Sequence, residues 1–200
     1  AALVEPLACV AWGLERLKLR PGARALVYGA GPMGCLLVQA LRNAGAAQIV
    51  ITDVVAHRLS LAGDLGASET VLADEHAAQH LKTLAPDGFD LVVDATGIPT
   101  VIEDAFFMLR PRGTLWIFGV TPRGARVAFD AYEIFRKDLT IFGSFAVNRT
   151  FDASIALVEQ GIVRVEPLIS HVLPLEEFAQ GFELAQTDPA RMKVQYHISG

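Results

Sequence analysis

Three glycines carry the first chemical signal in this 200-residue chain: Gly29, Gly31 and Gly34 stand in G-x-G-x-x-G spacing. A short apolar run, residues 25–28, precedes them, and an apolar helical stretch, residues 35–41, follows through Pro32 and Met33. Strand, glycine turn and helix in that order can bring a pyrophosphate onto the main chain. Gly29 permits the tight turn, Gly31 lets phosphates approach the backbone, and Gly34 lets helix and strand pack closely. The helix then offers unpaired N–H groups and its positive dipole end to the anion. Nineteen residues beyond Gly34, Asp53 closes a second apolar run, residues 49–51, where its carboxylate can accept both hydroxyls of an adenosine ribose. The same carboxylate repels a ribose 2′-phosphate, so the expected dinucleotide is NAD rather than NADP. Arg58, five residues on, either stacks over adenine or faces solvent. A methyltransferase uses a similar glycine loop with an acid just ahead of it, but Val27 and Tyr28 hold that place here.

These groups need parallel strands to position them, and the chain supplies the pattern. Residues 1–19 read as a helix interrupted by Pro6, with Leu3, Leu7, Val10, Leu14 and Leu17 at helical spacing. Arg20-Pro21-Gly22 turns the chain into the first strand. Residues 56–63 read as a helix stopped at Gly66, 69–72 as a strand, 74–84 as a polar helix and 89–94 as a strand. A helix over 100–109 follows Pro99, which suits a first-turn proline, and Arg110-Pro111-Arg112-Gly113 breaks it. Strands over 115–119 and 139–142 follow, with a short extra strand from Arg126 to Phe129 between them. Strands alternating with helices predict an α/β fold, a doubly wound parallel sheet of six strands in the order 3-2-1-4-5-6. Beyond Thr150 the rhythm changes to helix 151–160, strand 168–173, helix 175–185 and strand 192–198. The last two strands have no place in the first sheet. We therefore divide the chain into a nucleotide-binding unit, 1–161, and a return crossing toward a neighbouring domain, 162–200.

Ligands of such sheets lie beyond the C-terminal strand ends. With pyrophosphate and adenosine on the first two, nicotinamide falls beyond the fourth, fifth and sixth. That names Thr96 and Gly97, then Phe118, Gly119 and Val120, then Gly143, Ser144 and Phe145; the alternative for each glycine is a plain strand-ending turn. Other candidates are weaker. His76 and His80 stand at i,i+4, but H-A-A-Q-H lacks the glutamate of H-E-x-x-H and reads as a solvated helix face. His171 reads as a strand residue, and His57 and His197 belong to no constellation. Hydride transfer to a carbonyl needs a group that polarises oxygen, such as Zn²⁺, and neither a metal set nor a catalytic triad is legible. This chain alone is expected to bind nucleotide without turning over substrate.

Composition narrows the classes. A net charge of −5 leaves no basic footprint for nucleic acid. No uncharged apolar run reaches membrane-spanning length, the N-terminal one being broken by Glu5 and Glu15. Cys9 and Cys35 form no C-x-x-C and read as buried thiols of a cytoplasmic protein. The start in mid-pattern, without Met or a signal-peptide pattern, is expected of a domain excised from a longer chain.

Glu5-Pro6-Leu7, VYGAGPMG (27–34), ITDVVAHRLSLAGDLGA (51–67), DLVVDATG (90–97), IFGSF (141–145) and HVLPLEEFAQGFELA (171–185) together resemble the coenzyme-binding half of zinc-type medium-chain alcohol dehydrogenases. The resemblance spans nearly the whole chain. It implies an upstream catalytic domain of roughly 140–160 residues, an ordinary domain size, bearing most zinc ligands. Glu-Pro-Leu with the glycine loop 24 residues after the glutamate resembles the sorbitol (polyol) and threonine dehydrogenase branch, which places Glu5 beside the catalytic zinc as ligand or through water. Gly143-Ser144-Phe145 leans toward polyol enzymes. Those often carry arginine next, whereas this chain has Ala146, with Arg149 three further on. The resemblance also implies a homodimer or homotetramer paired through an edge strand, for which Arg126 to Phe129 is the candidate. The function implied is hydride transfer between a polyol or secondary alcohol and NAD. A threonine-type dehydrogenase and a non-catalytic NAD-sensing module are the alternatives.

Overall fold

In the computed structural model, which describes residues 2–198, the apolar runs become six parallel strands in the order β3-β2-β1-β4-β5-β6. They are β1 (Arg24–Tyr28), β2 (Gln48–Asp53), β3 (Glu69–Leu72), β4 (Phe89–Asp94), β5 (Leu109–Ile117) and β6 (Thr140–Gly143). In register, Val27 lies between Ile51 and Val93. Strands covered on both faces must be apolar on both, which is why β1, β2 and β4 read as continuous runs rather than alternating ones. Adjacent residues divide between two cores. Val27, Ile51 and Val93 face Leu7 and Val10 of α1 (Val4–Arg16), Leu36 and Leu37 of α2 (Pro32–Asn43) and Leu59 of α3 (Ala56–Asp64). Leu26, Val50 and Val92 face Leu81 of α4 (Ala77–Leu84), Ile102 and Phe106 of α5 (Pro99–Phe107) and Ile134 of α6 (Ala131–Lys137). The next helix, α7 (Phe151–Glu159), packs on α1, and Val163 and Leu168 bury in the first core.

Cys35 sits in that first core with no exposure. Burial, and secondarily the Asp53 carboxylate, push its thiol from 9.0 up to about 12, with Arg58 opposing. Between those values the unfolded chain has released this proton and the native chain has kept it. Stability contributed by Cys35 is therefore complete below pH 9 and lost as pH rises toward 12. The thermal midpoint is expected to fall above pH 9, and Cys35→Ala to flatten that slope. An unchanged slope in the variant would contradict this.

Several boundaries differ from expectation, each for a local reason. The first helix runs Val4–Arg16, shorter than 1–19. Pro6 does not interrupt it, because it lies in the first turn, where its missing N–H has no intrahelical partner in any case; Ala1 lies outside the described residues. The fourth helix begins at Ala77 rather than Asp74, since Asp74 Oδ1 accepts the His76 N–H and holds a turn instead. Helix α5 stops at Phe107, and the Arg110–Gly113 stretch does not end an element but lies inside β5. There the register jumps from Phe89↔Leu109 to Leu91↔Thr114, a bulge in which Arg112 takes a left-handed φ of +64°. The extra strand expected from Arg126 to Phe129 does not form. That segment is irregular chain whose Val127 and Phe129 pack on the second core while the Ala128 N–H donates to Glu103 Oε1. Half-burial alone produced its alternating pattern.

Past a 3₁₀ turn (Glu166–Leu168) come β7 (Ile169–Pro174), a second 3₁₀ turn (Leu175–Glu177), α8 (Phe178–Thr187) and β8 (Lys193–His197), with Ile169 and Met192 packed against the first core. The strands β7 and β8 pair with each other in parallel, outside the six-stranded sheet. Gly181 lets α8 close on them: a Cβ there would stand 2.8 Å from Leu173 Cδ1. Phe178, Phe182 and Val172 of this segment are exposed. Among the described residues no helix is long and apolar enough to cross a membrane.

Candidate functional site

The glycine loop leaves β1 and enters α2 with Gly31 as N-cap and Pro32 in the first turn. No side chain caps this helix, and Pro32 has no N–H, so the first donors are those of Met33 and Gly34. Gly29 turns the chain at φ +97°. Gly34 packs so closely that a Cβ would land on the Gly29 carbonyl oxygen, 2.9 Å from its carbon. A Cβ on Gly31 would meet nothing within 4 Å, which leaves open space before the helix N-terminus. Open room, free N–H groups and a positive dipole end fit a pyrophosphate.

Asp53 stands at the end of β2, against this loop. Its Oδ2 accepts the Ala30 N–H at 2.6 Å and its Oδ1 the Val55 N–H at 2.9 Å. The carboxylate thus clamps the loop, a role its position in the sequence did not reveal. Each oxygen keeps a further lone pair for a ribose hydroxyl. Arg58 does not simply face solvent. Half-buried, it donates from Nη2 to the Arg191 carbonyl at 3.1 Å, tying α3 to the turn before β8, while its buried Nε has no partner.

Next to Asp53 a cavity of about 500 Å³ opens between α4 and α5, lined by Tyr28, Thr52, Ala73, Ala77, Leu81 and Val101 among others. Its walls are mainly apolar. Thr52 is 2% exposed and its Oγ1 has no hydrogen-bond partner. A mainly apolar slot near Asp53, with the unpaired Thr52 hydroxyl in its wall and Asp74, Lys82 and Asp104 also in its lining, has the size and character for a planar heteroaromatic base such as adenine. Sequence reading missed it; the small residues Ala73, Ala77 and Ala78 around a polar helix start were the available signal.

The strand ends beyond β4 and β5 are gathered by a residue also missed, Asp94. It has no exposure. Its Oδ1 accepts from the Thr96 N–H at 2.9 Å and the Thr96 hydroxyl at 2.6 Å, and its Oδ2 from the Gly97 N–H at 3.1 Å. Its main-chain carbonyl takes the N–H groups of Phe118 and Gly119. Gly97, at φ +69°, lies so close to Val120 that a Cβ would stand 2.6 Å from the Val120 carbonyl carbon. Asp94 therefore brings Thr96 and Gly97 together with Phe118, Gly119 and Val120. That it ends an apolar strand, as Asp53 does, was the overlooked signal. At β6, Ser144 Oγ accepts from Trp116 Nε1 at 3.0 Å, and buried Trp116 stacks on Phe142 and meets Phe118 edge-on. This links Gly143, Ser144 and Phe145 to the end of β5. Val120 and Phe145 are 92% and 91% exposed, apolar side chains presented at the mouth of the site.

Glu5, exposed in the first turn of α1, accepts from Cys9 Sγ at 3.3 Å. Burial, then this hydrogen bond, push the Cys9 thiol up to about 11. Among the described residues no three His, Cys, Asp or Glu side chains stand together as a metal set, so a four-donor zinc centre does not fit within this chain. His171 lies between Ser170 Oγ (2.9 Å) and Asp188 Oδ2 (3.2 Å), a triad by proximity only. The Ser170 hydroxyl accepts the Met192 N–H and donates to the Lys193 carbonyl, which fixes it as a strand clamp.

The family model described as zinc-binding dehydrogenase matches residues 32–160. The chain is 38% identical to D-altritol 5-dehydrogenase of Agrobacterium fabrum over 98% of its own length and 58% of that protein's. It is 34% identical to D-arabinitol dehydrogenase 1 of Uromyces fabae over 92% of its length and 54% of that protein's. The crystal structure of L-idonate 5-dehydrogenase from Escherichia coli superposes with a TM-score of 0.87 at 29% identity, over 98% of this chain and 56% of that one. The chain thus spans little more than half the length of these relatives.

Proposed function

The chain belongs to the zinc-binding dehydrogenase family as its coenzyme-binding half, and we propose that its coenzyme is NAD and that the whole protein oxidises a polyol or secondary alcohol. The observation that carries NAD is Asp53, whose carboxylate faces the glycine loop where a 2′-phosphate would be repelled. The sugar-alcohol dehydrogenases among its relatives support the substrate class. Residues 1–161 hold the coenzyme, with nicotinamide beyond Thr96, Gly119 and Ser144, and residues 162–200 return toward the rest of the polypeptide. Zinc, held mainly by that remainder with Glu5 beside it, supplies Lewis-acid polarisation of the substrate oxygen when bound. We further propose a cytoplasmic homodimer or homotetramer; Cys9 and Cys35 of this chain are both free thiols.

The test is steady-state kinetics of the full-length protein with NAD and NADP against a panel of polyols, alongside zinc quantification. Asp53→Asn, which keeps an acceptor but removes the charge, is expected to lower kcat/KM for NAD about ten- to a hundredfold, the worth of a charged hydrogen bond. Activity with NADP should change far less, narrowing the preference. A zinc-free protein that binds NAD without turnover would instead be a nucleotide sensor and would overturn the enzymatic reading.

A further inference from the structure

At the opposite end of the sheet, below the N-terminal ends of β1, β4, β5 and β6, lies a cleft of about 530 Å³, adjoined by a hollow of about 240 Å³. Five cations line the two, Lys18, Arg20, Arg24, Arg110 and Arg112, against two carboxylates, Asp90 and Asp138. This surplus occurs in a chain of net charge −5. Asp90 is already engaged: Oδ1 pairs with Arg110 Nη2 at 2.6 Å, and Oδ2 accepts the Arg24 N–H at 2.9 Å. The Arg24 guanidinium donates to the Gly88 carbonyl. Lys18, Arg20 and Arg112 make no side-chain hydrogen bond or ion pair among the described residues.

From this cleft we propose a second ligand site, one for a small polyanion bearing two or more phosphate or carboxylate groups. Three observations converge. The volume is that of a small-molecule site. Its cations outnumber the carboxylates that would neutralise them, a potential that attracts anions. Finally, Arg112 has a left-handed backbone φ of +64° in the β5 bulge, where glycine would sit more easily; strained backbone of this kind collects at ligand sites. The six residues of β4 separate this cleft from the coenzyme end by roughly 20 Å. That exceeds a Debye length of about 8 Å at physiological salt, so direct repulsion between the anion and the coenzyme phosphates is small.

Calorimetric titration with pyrophosphate, and separately with citrate, tests this. Both are run with NAD saturating, so that the glycine loop, the other place for pyrophosphate, is filled. Saturable one-site binding that weakens as salt is raised is expected, and the tighter of the two probes identifies the anionic group. Arg112→Gly removes the cation while suiting the backbone, so its thermal midpoint should not fall. Its affinity for the anion should drop by about tenfold or more, as should that of Arg20→Gln, each losing one charge-assisted contact. Absence of saturable binding to the unsubstituted protein would overturn the proposal. So would variants that bind as tightly as it does.

Discussion

Asp94→Ala is expected to destabilise the chain by about 3–5 kcal/mol, because several donors lose their common acceptor in a closed site. The carboxylate is fully buried and satisfies the Thr96 N–H, the Thr96 hydroxyl and the Gly97 N–H. Removing it orphans all three donors, each costing about 1–3 kcal/mol if left unpaired. Against a typical total of about 5–15 kcal/mol, that is a large share. Coenzyme affinity should fall with it, because the same residue aligns the ends of β4 and β5. Asp94→Asn should be intermediate: it keeps one acceptor oxygen but turns an amide toward the Gly97 N–H. Urea unfolding, with NAD titration under conditions where the variant is folded, measures both effects. Wild-type values in Asp94→Ala would show that Asp94 does not organise these loops.

The second large effect is at Gly34. A Cβ there collides with the Gly29 carbonyl oxygen, which is backbone and cannot rotate aside. Gly34→Ala must push α2 away from the turn, at about 1–3 kcal/mol for overpacking. It should also lower NAD affinity by about a hundredfold, since the phosphate-binding N–H groups move with the helix. Gly31→Ala supplies the contrast. Gly31 has φ −67° and ψ −177°, which any residue adopts, and open space around it. Its substitution should leave stability unchanged and still weaken NAD, because the methyl occupies room meant for ligand. Equal stability loss in both variants would argue against this division of labour between packing and access.

Much of this architecture was legible because local and global preferences coincide. The strands Glu69–Leu72 and Phe89–Asp94 fall where their apolar runs and flanking turns put them. The glycine spacing located the loop, and its acid partner ended β2 as expected. What was not legible depends on neighbours distant in sequence. Arg110–Gly113 carries helix- and strand-breaking residues, yet β4 draws it into a bulged strand. Residues 126–129 alternate like a strand, and nothing pairs with them in the described structure. Asp94 looked like a strand terminus, because its significance lies in donors brought to it by the chain's return at Thr96 and Gly97. Arg58 was assigned by its distance from Asp53, whereas its partner, the Arg191 carbonyl, comes from far along the chain.

A crystal structure of this chain with NAD tests the central claim most directly. The pyrophosphate should meet the N–H groups of Met33 and Gly34, and the adenosine ribose hydroxyls should bind Asp53. Adenine should enter the slot between α4 and α5 with a polar edge at Thr52, and nicotinamide should lie beyond Thr96 and Gly119. NAD bound elsewhere, or with the Asp53 carboxylate untouched by the ribose, would contradict it.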